Sequence, residues 1–331
     1  MSLSSSPSVE PSAHVRHTVQ DVAASGRPPL ERAEALVEVA FDLQKKPKTP
    51  QELIDAIYLY EESMRLADGD PLARARALAG KGGALRRMPS MDLGPLEAAR
   101  SCFDEALPVL RDMGDAEELA EVEMTQGLVL QALAAHGKVP LDHAVKSYHR
   151  ALRHFGKEDY PREFATIHNN LATAYLSMKL APEKEVMREA LAVQSFMEAL
   201  KVVTLDEDPV EYGMLQNNLG NALQAMRTAH PIENLMRAVE AYDEALKVRS
   251  AHDTPVEHAN TLANKANALM NLPDDVEQPE LGNPRNLAQA VELLLGAEAA
   301  FTSAGISDRA GVVKALADEL SQELKVIQGQ A

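Results

Sequence analysis

Two short patterns recur along the chain at an interval of about 46 residues, and this repetition restricts the possible folds more than any other feature of the sequence. The first pattern is a small residue, any residue, alanine and then a large apolar residue. It occurs at 82–85 (GGAL), 172–175 (ATAY), 220–223 (GNAL) and 266–269 (ANAL), with a looser copy at 127–130 (GLVL).

The second pattern is alanine, an aromatic residue four positions later and a small residue three positions after that. It occurs at 56–63 (AIYLYEES), 99–106 (ARSCFDEA), 144–151 (AVKSYHRA), 192–199 (AVQSFMEA) and 238–245 (AVEAYDEA), with a last copy at 290–297 (AVELLLGA) in which leucine replaces the aromatic residue. Two alternating patterns with one interval predict a solenoid, because each unit can bury its apolar face only against its neighbours.

Both patterns place apolar and small residues at the i, i+3, i+4 and i+7 positions of an α-helix. Helix starts are also marked, since Asp208 and Thr254 each offer a capping oxygen just before a proline at the first helical position. Asp115 and Thr49 are further expected caps. The repeating unit is therefore expected to be a helix hairpin, with the aromatic residue filling the wedge between neighbouring hairpins.

The composition agrees with helices and restricts the partner. Only 4% of the residues are aromatic and none is tryptophan, whereas strands favour aromatic and β-branched side chains. A net charge of −17 argues against a surface for nucleic acid or for an anionic membrane, because both need a basic field. The single cysteine, Cys102, is expected on a packed helix face and fits a reduced, cytoplasmic compartment. No stretch approaches the roughly 20 apolar residues of a membrane span.

The order leucine, small, x, x, large in the first helix (171–175, LATAY; 219–223, LGNAL), followed by alanine, aromatic and alanine in the second, resembles the tetratricopeptide repeat. The resemblance implies an all-α fold, an α-solenoid in which stacked hairpins form a right-handed superhelix and first helices line its concave face. The family's unit is usually about 34 residues, so the longer interval here is similar to that of long-period bacterial members. The extra residues are expected mainly between the two helices, at 179–187 and 273–286.

Three segments follow from this interpretation. Residues 1–25, rich in serine and proline, are expected to form a disordered N-terminal tail. Residues 26–306 are expected to hold six hairpins, of which the fourth and fifth match the family pattern best. Residues 307–331 are expected to form one amphipathic capping helix that shields the last apolar face from water.

A set of polar residues, mostly asparagines, surrounds the small residue of three successive first helices. Its members are Asn170, Thr173, Asn218, Asn221, Asn260, Asn264 and Asn267. The resemblance implies that they line the concave groove and that similar rows in some family members bind extended polypeptide through its main chain. A side-chain amide can serve this purpose because it both donates and accepts hydrogen bonds. The alternative is that these residues satisfy helix ends or the neighbouring hairpin.

Three neighbouring amides, Asn169, Gln216 and Asn217, are weaker candidates for the same groove. Each of them is adjacent in sequence to another candidate. Residues one position apart in a helix differ in direction by about 100°, so the whole group cannot point into one groove.

The second hairpin carries a basic cluster where the later hairpins carry amides. Its members are Arg76, Lys81, Arg86 and Arg87. On so acidic a chain, this cluster is a candidate for binding a carboxylate or an acidic peptide segment. The alternative is a solvated face whose charges pair with acidic groups of the neighbouring hairpins. The glycines at 80, 82 and 83 do not form a phosphate loop, because Lys81 is followed by glycine instead of serine or threonine.

The sequence contains no recognisable catalytic or metal-binding pattern. His149 and His154 are five positions apart, which does not place two ligands on one helix face, and neither HExxH nor a nucleophile elbow occurs. No metal, cofactor or enzymatic activity is therefore expected.

Together these patterns indicate a non-enzymatic adaptor or scaffold that binds an extended peptide or protein tail in the Asn-lined groove of hairpins four to six. One alternative is a regulatory protein that senses a short peptide and changes its superhelical pitch. Another is an accessory or assembly subunit of an enzyme complex. A third is a scaffold that assembles through the charged, convex second helices, which carry Glu240 and Lys247.

Overall fold

The computed structural model describes residues 10–179, 181–228 and 230–330, and this part of the chain is built from α-helices. It contains fourteen α-helices, one 3-10 turn and no β-strand. The predicted all-α fold is therefore confirmed. None of these helices is both long enough and apolar enough to cross a bilayer.

The helices belong to two compact units, Met1–Gly156 and Lys157–Ala331. The first unit contains α1 (Ala13–Ala24), α2 (Pro29–Lys45), α3 (Pro50–Leu66), α4 (Pro71–Arg87), α5 (Gly94–Met113), α6 (Ala116–Ala135) and α7 (Asp142–Ala151). The second unit contains α8 (Pro161–Ser177), α9 (Pro182–Ala199), α10 (Pro209–Ala225), α11 (Pro231–Leu246), α12 (Pro255–Met270), α13 (Pro284–Ser303) and α14 (Ser307–Gln330). The 3-10 turn, Pro279–Leu281, lies between α12 and α13.

Within each unit, consecutive helices pack in pairs. The pairs of the first unit are α2 with α3, α4 with α5 and α6 with α7, and α4 also contacts the first helices on either side of it, α2 and α6. The pairs of the second unit are α8 with α9, α10 with α11 and α12 with α13, and α10 also contacts α12. Each unit is thus a stack of hairpins in which first helices of neighbouring hairpins meet.

Aspartate and proline set several helix starts. Asp208 and Asp115 each accept a hydrogen bond from the backbone N–H three residues later, at 3.0 and 2.8 Å. Thr49 and Thr254 occupy the expected cap positions, but their side chains make no capping bond. Proline still begins both of these helices, because its missing N–H would have no partner in the first turn anyway.

The two repeated patterns meet inside a hairpin. The ring of Tyr148 lies against Gly127 and that of Tyr242 against Gly220, so closely that an added Cβ would lie 2.4 and 2.5 Å from the two rings. The expected position of the aromatic residue, in the wedge between hairpins, is therefore wrong for these two, which pack on the small residue of their own hairpin. Tyr60 does reach the next hairpin, where its ring lies against α4.

Residues 10–24 differ from the disordered tail expected over residues 1–25. α1 begins after Ser12, whose side chain accepts a hydrogen bond from the N–H of Val15. Val15 is buried in a core formed with α2 and α3, and the N–H of Ser12 donates to Asp55 of α3 at 2.8 Å. The expectation is therefore wrong for this part, because tertiary contacts stabilise a short helix of low apolar content. Residues 1–9 lie outside the described residues.

The extra length of the repeats is held in two different ways. Between α12 and α13, residues 271–283 form a connection that includes the 3-10 turn, where a long connection is expected. In the pair α8 and α9, by contrast, residues from 182 onward belong to α9 instead of to the expected connection. A longer second helix holds most of the extra length in that hairpin.

α14 covers the apolar side of α13. Its buried residues are Ala310, Val313, Ala317, Leu320 and Leu324, which share one core with α12 and α13. Val312, on another side of the same helix, is 71% exposed. α14 therefore buries one apolar stripe and leaves a second apolar position open.

Candidate functional site

The expected asparagine row lies on the first helices of the second unit. Asn170 is on α8, Asn218 on α10 and Asn264 on α12, and all three side chains are half-buried. α10 and α12 contact each other directly, so Asn218 and Asn264 belong to one continuous surface. We call the surface made by α10, α12 and α14 the amide face.

Asn217, a weaker candidate in the sequence, is the centre of this surface. Its side chain is 8% exposed. Its Oδ1 accepts hydrogen bonds from Thr261 Oγ1 at 3.2 Å and from Asn264 Nδ2 at 3.3 Å, both on α12. Its Nδ2 donates to Asn218 Oδ1 at 3.4 Å. Asn217 therefore joins α10 to α12, and the paired asparagines at 217 and 218 divide a structural role from a surface role.

Several of the predicted peptide-binding residues have partners within the protein. Asn221 Oδ1 accepts from the hydroxyl of Tyr242 at 2.8 Å, and Asn260 Oδ1 accepts from Arg309 Nη1 at 3.2 Å. Thr173 Oγ1 donates to the backbone carbonyl of Asn170 at 3.0 Å. These contacts follow the structural alternative for part of the set.

Asn267 and Asn218 keep more of their amide groups available. Asn267 is exposed, and only its backbone carbonyl is engaged, by Asn271 Nδ2 at 2.9 Å. Among the described residues, Asn218 Nδ2 makes no hydrogen bond. The open groups of the amide face are therefore fewer than the sequence indicates.

An open cavity of about 290 Å³ adjoins Asn260 and Asn264. α14 contributes Arg309, Val312 and Val313 to its lining, and Phe301 of α13 and Ala263 of α12 complete the apolar part. The guanidinium of Arg309 lies 6.0 Å from the centre of the Phe301 ring. The sequence analysis did not identify this cavity, although an exposed valine on an otherwise amphipathic capping helix is a signal for it.

The basic cluster does not converge on one ligand position. Arg76 binds both oxygens of Glu118 on α6, at 2.8 and 3.1 Å, and this hydrogen bond raises the pKa of Arg76. Lys81 binds Glu61 on α3 at 2.6 Å. The structure therefore follows the alternative of internal charge pairing for these two residues.

The other two members of the cluster are also separated. Arg87 Nη1 donates to the carbonyls of Gln44 and Lys45, at 2.6 and 3.1 Å, at the C-terminal end of α2. Arg86 Nε is buried without a hydrogen-bond partner among the described residues. Burial lowers the pKa of Arg86, and the positive charge of Arg87 lowers it further.

A second cleft lies on the first helices of the first unit, α2, α4 and α6, and has a volume of about 320 Å³. Its apolar lining includes Val37, Phe41, Gly80 and Val122. Phe41 is 49% exposed. The sequence analysis missed this cleft because α2 follows the repeat pattern poorly.

No protein-family model matches the sequence, and no curated protein matches it either. Among solved structures, the chain is similar to a crystal structure of BtubC (BKLC) from P. vanneervenii, with a TM-score of 0.53, 19% identity and coverage of 72% of this chain and 89% of that chain. It also matches a Rap protein complexed with Competence and Sporulation Factor, with a TM-score of 0.43, 13% identity and coverage of 94% and 85%. The apo form of the quorum sensor NprR from B. thuringiensis matches with a TM-score of 0.43, 12% identity and coverage of 93% and 85%.

The likeness to BtubC concerns the fold alone, because the identity is only 19%. The two likenesses with a TM-score of 0.43 carry no further argument. Within each unit, the helices pack as the hairpins that the repeat pattern predicts. The chain is therefore a TPR-like, all-helical repeat protein.

Proposed function

We propose that the protein is a non-enzymatic adaptor that binds an extended segment of a partner protein along the amide face. One observation carries the proposal: an open cavity of about 290 Å³ lies beside Asn260 and Asn264, and the 71% exposed Val312 belongs to its lining. Exposed apolar groups next to available amides suit a peptide, which has both side chains and an unpaired main chain.

The two kinds of group on the amide face would have separate tasks. Asn218 and Asn264 present side-chain amides, which pair with main-chain N–H and C=O groups whatever the peptide sequence. Each such hydrogen bond contributes about 0.5–1.5 kcal/mol, so several are needed for useful affinity. The cavity beside Val312 would take one apolar side chain and so supply sequence preference.

The proposal extends to the repeat type and the compartment. We assign the chain to the long-period class of tetratricopeptide repeats, with a unit of about 46 residues, on the spacing of the two patterns. We assign it to the cytoplasm because its one cysteine, Cys102, is free and buried.

The experiment is affinity capture from native lysate with quantitative mass spectrometry, followed by titration of a peptide taken from the retained partner. The test variants are the triple change of Asn170, Asn218 and Asn264 to alanine, and the single change Val312→Asp. The matched control is Val326→Asp, because Val326 is also exposed on α14 (57%) but does not line the cavity.

We expect both test variants to bind the peptide at least tenfold more weakly, a loss of about 1.4 kcal/mol, with unchanged helicity by circular dichroism. The control variant should bind like the wild type. Equal affinity in all variants would show that the partner binds elsewhere. A captured ligand that is a short free peptide, and not a protein segment, would favour the peptide-sensing alternative.

A further inference from the structure

A pocket of about 260 Å³ lies in the first unit, where the end of α5, the first half of α6 and the end of α7 meet. It is separate from the amide face and from the basic cluster. Leu119 and Ala120 contribute apolar lining, while its charged lining includes Arg111, Arg150 and Arg153. A positively charged pocket is unusual on a chain with a net charge of −17.

One carboxylate in this pocket serves two arginines. Glu123 is 3% exposed. Its Oε1 accepts hydrogen bonds from Arg111 Nη2 at 3.0 Å and from Arg150 Nε at 2.8 Å. Arg150 is held further by a bond from its Nη2 to Ser147 Oγ at 2.8 Å. This triad carries one positive charge in excess, on groups that protein surrounds on several sides.

Arg153 adds a second excess charge. Its side chain is exposed, and within the described part of the chain it makes no hydrogen bond or ion pair. Glu123 is the one carboxylate among the residues that line the pocket. The pocket therefore holds three guanidinium groups against one carboxylate.

We propose that this pocket binds a phosphate group, held between Arg111 and Arg153. A phosphate monoester carries a charge of about −1.5 to −2 at neutral pH, which matches the excess of two positive charges. Guanidinium groups bind phosphate oxygens through paired N–H donors, and Arg150 and Glu123 fix one side of the pocket in advance. The apolar lining excludes part of the water and strengthens the attraction.

The basic cluster shows why the same inference does not apply there. Arg76 and Lys81 each have their own carboxylate, and Arg87 is used on backbone carbonyls. Positive charge that is neutralised by a neighbour gains little from an added anion. Only the pocket at Arg111 and Arg153 combines excess charge with an open volume.

The test is a calorimetric titration of the full chain with inorganic phosphate and, separately, with a short phosphoserine peptide, at constant ionic strength. We expect saturable binding of both or of either one. Arg153→Gln should weaken it at least tenfold, and Arg153→Lys should weaken it less, because lysine keeps the charge but loses the planar fork. The matched control is Arg74→Gln, which removes the same charge from an exposed arginine of the same unit, paired with Glu105 at 3.3 Å.

The two ligands distinguish the source of the phosphate. Tighter binding of the phosphoserine peptide would indicate a phosphorylated partner, and tighter binding of inorganic phosphate would indicate a free anion. Absence of saturable binding up to about 10 mM of both ligands would overturn the proposal, since affinity weaker than this corresponds to less than about 3 kcal/mol. Unchanged affinity in Arg153→Gln, or equal binding of acetate, would also overturn it.

Discussion

The ring of Tyr242 covers Gly220 so closely that a Cβ on this glycine would lie 2.5 Å from Cε1 of the ring. The ring is fully buried, and its hydroxyl donates to Asn221 Oδ1 at 2.8 Å and to Gln224 Oε1 at 3.0 Å. Because it is held at both ends, the ring cannot move away from an added methyl group. Gly220 and Tyr242 therefore set the distance between α10 and α11.

Gly220→Ala should lower the free energy of unfolding by about 1–3 kcal/mol, since overpacking forces rings and backbone to shift. Urea denaturation measures the change. The matched control is Gly311→Ala on α14, where nothing lies within 4 Å of the added Cβ. That control should raise the free energy of unfolding by about 0.5–1 kcal/mol, because alanine is the better helix former. A Gly220→Ala protein as stable as the control would show that the ring has room to move.

The buried tyrosines should make the fold sensitive to alkali. Burial raises the pKa of Tyr148 and of Tyr242 well above the ordinary phenol value of about 10. Above that pH the unfolded chain loses phenolic protons while the folded chain keeps them. The free energy of unfolding should therefore fall by about 1.4 kcal/mol per pH unit for each such tyrosine, and this stability is fully present below pH of about 10.

Stability measured by urea denaturation at a series of alkaline pH values tests this dependence. Tyr148→Phe and Tyr242→Phe should each make the decline with pH shallower, because one group that ionises only in the unfolded chain is removed. A decline of the same slope in both variants and in the wild type would assign the alkaline sensitivity to other groups.

Asn217 and Asn218 should separate stability from binding. Asn217→Ala removes the acceptor of Thr261 and Asn264 and should lower the free energy of unfolding by about 1–3 kcal/mol. Asn218→Ala should change it by less than about 0.5 kcal/mol, because its side chain is half-buried and makes one long hydrogen bond. Thermal unfolding of the two single variants compares them directly. Equal losses of stability would contradict this division.

Glu189 should be necessary for the stability of the second unit. Its side chain is 3% exposed and binds Arg188 at 3.2 Å and the backbone N–H of Arg227 at 2.8 Å. Glu189→Ala leaves Arg188 largely buried without its carboxylate and should cost about 3–5 kcal/mol. Glu183→Ala, an exposed change on the same helix, should cost at most about 1 kcal/mol. Chemical denaturation monitored by circular dichroism provides the comparison, and similar losses in the two variants would show that the pair contributes little.

Much of the fold follows from local information. Proline and aspartate mark helix starts wherever they occur, because a first-turn position needs a cap and no N–H donor. The spacing of glycine, alanine and aromatic residues predicts hairpins, because these positions recur on one side of each helix. The all-α class and the approximate places of α8, α10 and α12 are therefore predictable from the sequence.

The candidate sites depend on contacts that local information does not contain. Asn217 and Asn218 are neighbours in sequence, yet a rotation of about 100° makes one of them the bridge to α12 and leaves the other at the surface. Arg76 looked available for a ligand until the packing of α6 placed Glu118 beside it. The sequence by itself determined which residues form helices and which sides are apolar. Only the tertiary structure decided which polar groups find partners, because that depends on how helices far apart in the chain are rotated and placed against one another.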